Sequence, residues 1–317
     1  MNERWNSVPQ RPPWRNMMLL IGLMLVGMSV GNLIALALIM LLSYGTLNME
    51  QITDMLQNPA NHPHAWWYLM LLQSVTHVCS FLVPSLVYWK WSEQHRIEDF
   101  VKRPWPPIQI LGLTLVLMLV FMPFNSWIIE WNNNLHLPNS IKPIEQWMQR
   151  KENDLSIITR FITSFDTWPQ LIVAIVVIAL IPAIGEEVLF RGIIQRKIFY
   201  KIANMPVAIW ISAALFSAIH LQFYGFVPRM LLGVIFGYLY IWSRNLWTPI
   251  FAHFINNATT VVILFLNHKK MFGFDSEQNQ SSVPWTVGLA SLVLTIAILY
   301  YLKSKAEPLE LSYHDSK

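Results

Sequence analysis

Charged residues are scarce in this chain. Only 13% of its 317 residues are Asp, Glu, Lys or Arg, whereas 54% are hydrophobic. Soluble domains carry about a quarter charged residues. So few charges leave too little polar surface for a soluble globular protein, which predicts that lipid forms part of the solvent. The net charge of +4 is small, and we expect no nucleic-acid partner.

Cysteine is nearly absent as well. The single cysteine, Cys79, has no second cysteine for an intramolecular disulfide, so the sequence does not indicate a disulfide-stabilised ectodomain. Neither Cys79 nor Ser217 lies in the motif of a known nucleophile, and the chain has no H-E-x-x-H zinc helix. Catalysis by an activated serine or cysteine is therefore not expected.

Long apolar segments, by contrast, are frequent. A helix that spans a membrane needs about 20 mainly apolar residues, and eight segments approach that length. They predict an all-α, polytopic membrane bundle of about eight transmembrane helices. The predicted spans are Met17–Tyr44, Trp66–Trp89, Ile108–Ile129, Leu171–Ile198, Val207–Leu221, Phe226–Trp242, Trp247–Leu266 and Trp285–Leu302.

Lys and Arg residues are distributed unevenly among the loops. They precede the first predicted span and follow the second, fourth and eighth, whereas the loop 45–65 contains none. Short loops rich in Lys and Arg stay cytoplasmic. We therefore expect both termini in the cytoplasm and the loop 45–65 outside, although Lys269 and Lys270 run against the pattern.

The stretch 130–166 mixes Pro, Asn and charge with apolar residues at spacings that suggest interfacial amphipathic helices. It has too few apolar residues for a core of its own, so we interpret it as a connector at the membrane surface. The predicted division of the chain is a cytoplasmic tail at 1–16, N-terminal transmembrane helices with the connector at 17–165, a core with the polar motifs at 166–268, and a last transmembrane helix with a cytoplasmic tail at 269–317.

Two adjacent glutamates interrupt the fourth predicted span. Between Asp166 and Arg191 the only charged residues are Glu186 and Glu187. A charged residue at the centre of a spanning helix costs about 2.5–3.5 kcal/mol on translocon scales, so it usually faces a partner or water. Glu187 and Arg191 are four residues apart, in the order that favours an ion pair. This pairing leaves Glu186 without a local cation and free to act on another group.

Two further polar motifs lie in spans that are otherwise apolar. His220 follows Phe216 by four residues, in a stretch from 202 to 228 that contains no Asp, Glu, Lys or Arg. His253 and Asn257 are also four residues apart, so they share one face of a helix. Packing the three spans together would build one polar pocket inside the bundle.

Each motif alone is explained by helix packing, because a buried ion pair or a lone histidine often ties helices together. Small residues at Gly233 and Gly237, and the polar Asn32, are likewise interpreted as packing features. Together, however, the three motifs suit amide hydrolysis. A shielded carboxylate and a histidine can activate water, and a second histidine and an amide can donate to the oxyanion. The alternative is a catalytic zinc held by the glutamate and the two histidines.

Two other classes of function remain open at this stage. Intramembrane acids and histidines also form proton or ion relays, as in a transporter or channel, but a relay predicts polar groups along a path rather than concentrated in one half of the chain. A non-catalytic membrane immunity or binding protein could retain the same residues. The presence of every motif residue counts against that reading.

The order and spacing of these motifs resemble the CAAX-protease and bacteriocin-processing (CPBP) family. That resemblance covers roughly residues 168–266 and depends on three motifs. They are Glu186-Glu187-x-x-x-Arg191, Phe216-x-x-x-His220 and His253-x-x-x-Asn257. It implies an eight-span helical bundle, a membrane-associated peptide or protein as substrate, and a location in a bacterial inner (plasma) membrane.

The resemblance also implies roles for individual residues. Glu186 and His220 would activate the water, and His253 and Asn257 would stabilise the oxyanion. Glu187, Arg191 and Phe216 would support them. The family is named for metalloproteases, with Glu186, His220 and His253 as the implied zinc ligands, but its site has also been interpreted as a glutamate site that works without metal.

One expectation conflicts with straight helices. His253 lies near the start of its predicted span, whereas His220 lies near the far end of its own. With a rise of about 1.5 Å per residue, the two imidazoles would lie at different depths. A segment 192–205 that dips into the bilayer or lies at its surface is one arrangement that would bring them together.

Overall fold

The computed structural model describes residues 13–45, 47–100, 104–135, 137–269 and 283–306. The regular structure in these ranges is helical, which confirms the all-α fold class. Seven of the helices are long and apolar enough to cross a membrane, and an eighth apolar helix is shorter. Several cations used for the orientation lie outside the described residues, namely Arg4, Arg11, Lys102, Arg103 and Lys270.

We number the α-helices of the described residues α1 to α10. α3 and α6 each continue through two π-helical turns, which are included in their ranges. The helices are α1 Pro13–Leu42, α2 Met49–Gln57, α3 Ala65–Ser92, α4 Ile108–Asn133, α5 Lys142–Thr163, α6 Trp168–Ile202, α7 Met205–Ala218, α8 Phe226–Ser243, α9 Trp247–His268 and α10 Trp285–Ser304.

The apolar segments predicted the helices well, since each predicted boundary lies within four residues of the observed one. The connector forms one amphipathic helix, α5, rather than several. Its end is attached to the bundle where the Trp66 indole donates to the Ile162 carbonyl, with a separation of 2.9 Å. Most of the segment 192–205 is helical, because α6 continues to Ile202 and α7 begins at Met205.

Helix α6 lies at the centre of the bundle. More than half of its most apolar stretch is buried, whereas less than a fifth of the corresponding stretch of α1 is buried. Its residues join three hydrophobic clusters: Val177 packs with α3 and α9, Val188 with α7 and α8, and Leu189 with α1 and α3. The helix that carries the two glutamates is therefore shielded from lipid by its neighbours.

Proline explains one π-helical turn in α3 and one in α6. The turns at Val78–Leu82 and Ile175–Leu180 each lie directly upstream of a proline, Pro84 and Pro182. A proline has no N–H, and its ring clashes with the carbonyl four residues earlier. Widening the preceding turn relieves that clash, and such turns are frequent at functional sites.

Glycines allow α1 and α3 to approach closely. A Cβ at Gly27 would lie 2.0 Å from the Cys79 carbonyl oxygen, and one at Gly31 would lie 2.7 Å from the Cys79 Cβ. Next to Gly31, the Asn32 side chain accepts a hydrogen bond from the Thr76 hydroxyl of α3, with a separation of 2.8 Å. The interpretation of Asn32 as a link between helices is therefore confirmed.

Glycines also allow α7 and α8 to approach closely. A Cβ at Gly233 would lie 3.0 Å from the Ala213 Cβ, and one at Gly237 would lie 2.8 Å from the Ile209 side chain. The packing role expected for these glycines is confirmed. α7 has only 14 residues, about 21 Å of helix, so its far end does not reach as deep as a full span would.

The contact between α1 and α3 leads to a stability prediction. Gly27→Ala should lower the free energy of unfolding by about 1–3 kcal/mol, because the added methyl group collides with backbone and forces the helices apart. Gly22→Ala is the matched control, since a Cβ at Gly22 meets nothing within 4 Å and alanine favours the helix. Thermal unfolding in detergent micelles measures both, and equal midpoints for the two variants would contradict the packing.

Candidate active site

The charged residues of α6 are buried and paired as the spacing predicted. Glu186, Glu187 and Arg191 are 5%, 0% and 1% exposed. The Arg191 Nη1 donates to Glu187 Oε1 at 2.6 Å, which confirms the pairing of residues four apart. A second guanidinium nitrogen, Nη2, donates to the Gly233 carbonyl on α8 at 2.8 Å. Arg191 thus connects two turns of α6 and also links α6 to α8.

Aromatic rings enclose the guanidinium group. Its carbon lies 4.8 Å from the centroid of the Phe216 ring and 5.3 Å from that of Phe236. A desolvated cation over an aromatic face is stabilised by the ring quadrupole. One turn along α6, Gln195 donates to the Gly237 carbonyl at 3.4 Å. The two glycines of α8 therefore leave room at the helix contact and also supply carbonyl acceptors to α6.

His253 joins this network from α9. Its Nδ1 lies 2.9 Å from Glu187 Oε1, the same oxygen that accepts from Arg191. The ring stacks on Phe236 at 5.1 Å and meets Phe216 edge to face at 5.9 Å. Because an ionised carboxylate only accepts, Nδ1 is the donor, and a neutral ring then has its lone pair on Nε2. That Nε2 lies 3.9 Å from Glu186 Oε2.

His220 reaches the same cluster from the end of α7. Its Nδ1 lies 2.9 Å from the Phe216 carbonyl, which is one of the acceptors left open where the helix ends. Nδ1 therefore donates, and Nε2 of the neutral ring carries a lone pair. The Phe216 ring lies 5.4 Å from the His220 ring and 5.9 Å from that of His253. Because α7 is short, both histidines contact the same aromatic ring. The separation in depth that two straight, full-length spans would give His220 and His253 is therefore not observed.

Asn257 lies on the same face of α9 as His253. Its Nδ2 donates to the Ile178 carbonyl of α6 at 3.2 Å. In a regular helix that carbonyl would accept from residue 182, which is a proline without an N–H. Asn257 thus links α9 to the π-helical turn of α6 just before Pro182. Since an amide nitrogen carries two hydrogens, one remains to donate elsewhere.

The structure brings the seven predicted residues into one region but not all into direct contact. Within the described part of the chain, no hydrogen bond or ion pair joins His220 directly to Glu186. Two histidines instead flank the Glu186 carboxyl group: His253 lies by one oxygen, and His77 Nε2 lies 3.6 Å from Oε1.

Sequence reasoning missed His77, Phe236 and Arg229. His77 lies in the predicted span 66–89, which contains no Asp, Glu, Lys or Arg. The same absence of charged residues had singled out His220. Arg229, in the first turn of α8, donates to the Gln222 side chain at 2.6 Å. Phe236 had no signal, because an aromatic residue in an apolar helix is unremarkable by pattern.

The implied zinc ligands do not form a zinc site as they are arranged. Zinc is held by three or four side chains with donor atoms about 2.0–2.3 Å from the ion. Across the described ranges, no group of three or more His, Cys, Asp or Glu side chains is arranged to hold a metal ion. His253 and His220 each donate from Nδ1 to a protein acceptor and keep a lone pair on Nε2, as metal-bound histidines do. The arrangement of the donor atoms, rather than the chemistry of the two rings, is therefore what does not fit zinc.

Residues 168–259 match the protein family described as type II CAAX prenyl endopeptidase Rce1-like. The resemblance indicated by the three motifs is therefore confirmed over this segment. It contains all of α6, α7 and α8 and the part of α9 that carries His253 and Asn257.

Two curated bacterial proteins are similar over about the same length. The uncharacterized protein YpbD of Bacillus subtilis (strain 168) is 29% identical over 98 residues, which is 30% of this chain and 47% of that protein. The membrane-embedded CAAX protease MroQ of Staphylococcus aureus (strain USA300) is 30% identical over 96 residues, which is 28% of this chain and 38% of that protein. The chain thus spans less than half the length of these relatives. No solved structure matches it.

The buried ion pair leads to a second stability prediction. Arg191→Met should lower the free energy of unfolding by about 3–5 kcal/mol, because it leaves Glu187 buried without its cation. The double variant Glu187→Gln with Arg191→Met removes that charge, so it should be less destabilised than the single variant. Unfolding in detergent micelles measures both, with Arg150→Met on the exposed face of α5 as the control. A double variant that is as unstable as the sum of the two single changes would contradict the pairing.

Proposed function

We propose that this protein is an intramembrane endopeptidase that hydrolyses peptide bonds of membrane-associated proteins or peptides. One observation carries the proposal: a buried network in which α6 supplies a carboxylate pair, α7 a histidine, and α9 a histidine and an amide. The match of residues 168–259 to a prenyl endopeptidase family supports it. A relay for ions would need polar groups along a path, and these groups are concentrated around Glu186.

In the proposed first step, Glu186 acts as the general base. Water gives a proton to the Glu186 carboxylate while its oxygen forms a bond to the carbonyl carbon of the scissile peptide. The Nε2 lone pair of His220 can accept a hydrogen bond from the same water and hold it for attack. General-base catalysis of this kind contributes about 10²–10⁴-fold.

The attack places a negative charge on the former carbonyl oxygen, which needs hydrogen-bond donors. Asn257 offers its second N–H. His253 donates from Nδ1 to Glu187, so donation from Nε2 as well requires a ring that carries both protons. The neighbouring carboxylates are positioned to stabilise that cation. Collapse of the intermediate breaks the C–N bond, and the proton on Glu186 passes to the leaving amine.

Glu187, Arg191 and Phe216 act in this scheme by positioning. Glu187 orients the His253 ring through Nδ1, and Arg191 neutralises Glu187 from the opposite side. Phe216 contributes its carbonyl to His220 and its ring to Arg191. These residues touch the reacting groups only through others, so their loss should change the geometry of the site.

The substrate class follows from the environment of the site. This is an integral membrane protein, with seven long apolar helices in the described ranges, and a buried site in such a bundle suits a substrate that is itself anchored to lipid. MroQ is named as a CAAX protease, and by analogy a lipid-modified peptide is the first substrate to test. We further propose a bacterial inner membrane, with both termini in the cytoplasm.

The assignment of roles predicts graded losses of activity. Glu186→Gln should abolish turnover while substrate still binds, because the shape is retained and the base is lost. Asn257→Ala removes one oxyanion donor and should lower turnover about 10²–10³-fold. The measurement is cleavage of internally quenched, lipid-anchored peptides, with and without a prenylated cysteine, by protein reconstituted in liposomes.

Glu98→Gln is the matched control for these variants, since Glu98 is exposed and pairs with Arg96 at 3.0 Å. It should cleave at the wild-type rate. Cleavage by wild-type protein that Glu186→Gln leaves unaffected would overturn the mechanism. Peptide binding without cleavage by any variant would favour the immunity or binding function, and ion flux through the liposomes would favour a transporter.

Chelation provides an independent test of the chemistry. We expect activity to survive exhaustive treatment with a membrane-permeant chelator, because the donor atoms of Glu186, His220 and His253 do not converge on one point. The rate before and after chelation measures this, with bound zinc determined on the same sample. Loss of activity that added zinc restores would contradict the glutamate mechanism and favour a metal site.

A further inference from the structure

His77 of α3 is a partly buried histidine that the proposed reaction does not yet use. Its Nε2 atom is buried and makes no hydrogen bond to the described residues. The nearest charged group is the Glu186 carboxyl group, whose Oε1 lies 3.6 Å away. A buried polar nitrogen without a partner is unusual in a folded protein and calls for an explanation.

The position of the His77 ring is determined by its neighbours. It stacks on Phe81, with ring centroids 4.5 Å apart and planes 23° apart. On the facing helix α6, a Cβ at Gly185 would lie 3.3 Å from the Phe81 Cβ, which is tight, and 3.5 Å from His77 Nε2, which is an ordinary contact. The residue directly before Glu186 therefore packs closely against Phe81 and His77.

The two oxygens of Glu186 have different neighbours as a result. Oε1 faces His77 on α3, and Oε2 faces His253 Nε2 on α9 at 3.9 Å. Both separations are longer than a hydrogen bond, as is common for catalytic groups before substrate binds. A small rotation of the carboxyl group would close the contact to His77 and leave Oε2 directed at the reacting water.

We propose that His77 is a positioning residue for the general base: it donates from Nε2 to Glu186 Oε1 and so orients the other oxygen toward the water. This inference rests on the proposed peptidase function. It also assigns part of the site to α3, which lies outside the matched segment 168–259. The N-terminal helices would then contribute to the reaction as well as to the scaffold.

The kinetic test compares three variants in the liposome assay. His77→Leu removes the donor and should lower kcat about 10- to 100-fold with little change in KM, because a misdirected base affects the chemical step rather than binding. His77→Gln keeps an N–H at a similar distance and should restore most of the rate. Phe81→Leu keeps the histidine but removes its stacking partner, so kcat should fall less than in His77→Leu.

A second measurement is independent of turnover. In protein labelled with ¹⁵N-histidine, the His77 signal, identified by its absence in His77→Gln, should move when Glu186 is changed to Gln. It should not move in Glu98→Gln, which alters an exposed carboxylate. If the His77 signal is the same in the wild-type protein and in Glu186→Gln, the inference is overturned, whether or not the protein cleaves peptides.

The two proposals fail in distinguishable ways. If wild-type protein cleaves no peptide but the His77 signal responds to Glu186, the contact stands and the peptidase function falls. If cleavage depends on Glu186 but His77→Leu retains the wild-type kcat, the peptidase function stands and the positioning role falls. A lower melting temperature of His77→Leu, with kcat of the folded fraction unchanged, would also overturn it.

Discussion

The buried ion pair between Glu187 and Arg191 is the interaction on which the candidate site depends. Two charges inside an apolar bundle cost several kcal/mol each unless they are paired and hydrogen-bonded. Arg191 is satisfied by Glu187, by the Gly233 carbonyl of α8 and by the faces of Phe216 and Phe236. These groups come from three helices, so satisfying one pair of charges also determines how α6, α7 and α8 pack.

The polar network extends outward from this pair by single hydrogen bonds. Glu187 holds His253, and Asn257 on the same face of α9 donates to the Ile178 carbonyl of α6. Glu186 differs from its neighbour because the contacts that satisfy Glu187 leave it beside histidines rather than a cation. A carboxyl group in that position can act on a water molecule, whereas Glu187 is held by Arg191 and His253.

Much of this arrangement could be predicted from local patterns. The eight apolar segments have the length that a bilayer requires, so their boundaries were found to within four residues. The pairing of Glu187 with Arg191 follows from helical spacing alone, because residues four apart share a face. The packing of Gly233 and Gly237 against α7 followed from their small size in a span. Each of these depends on residues close together in the chain.

The amino-acid sequence by itself determined the helices, the three motifs and the ion pair within α6, since spacing along one helix decides these. Only the tertiary structure decided which histidine faces Glu186, which ring nitrogen donates, and that His77 belongs to the cluster. These depend on the depth and rotation of separate helices. Depth and rotation depend on where α7 ends relative to its neighbours, on the π-helical turns upstream of proline and on how closely helices approach at glycines. The spacing of residues within one span does not specify these features.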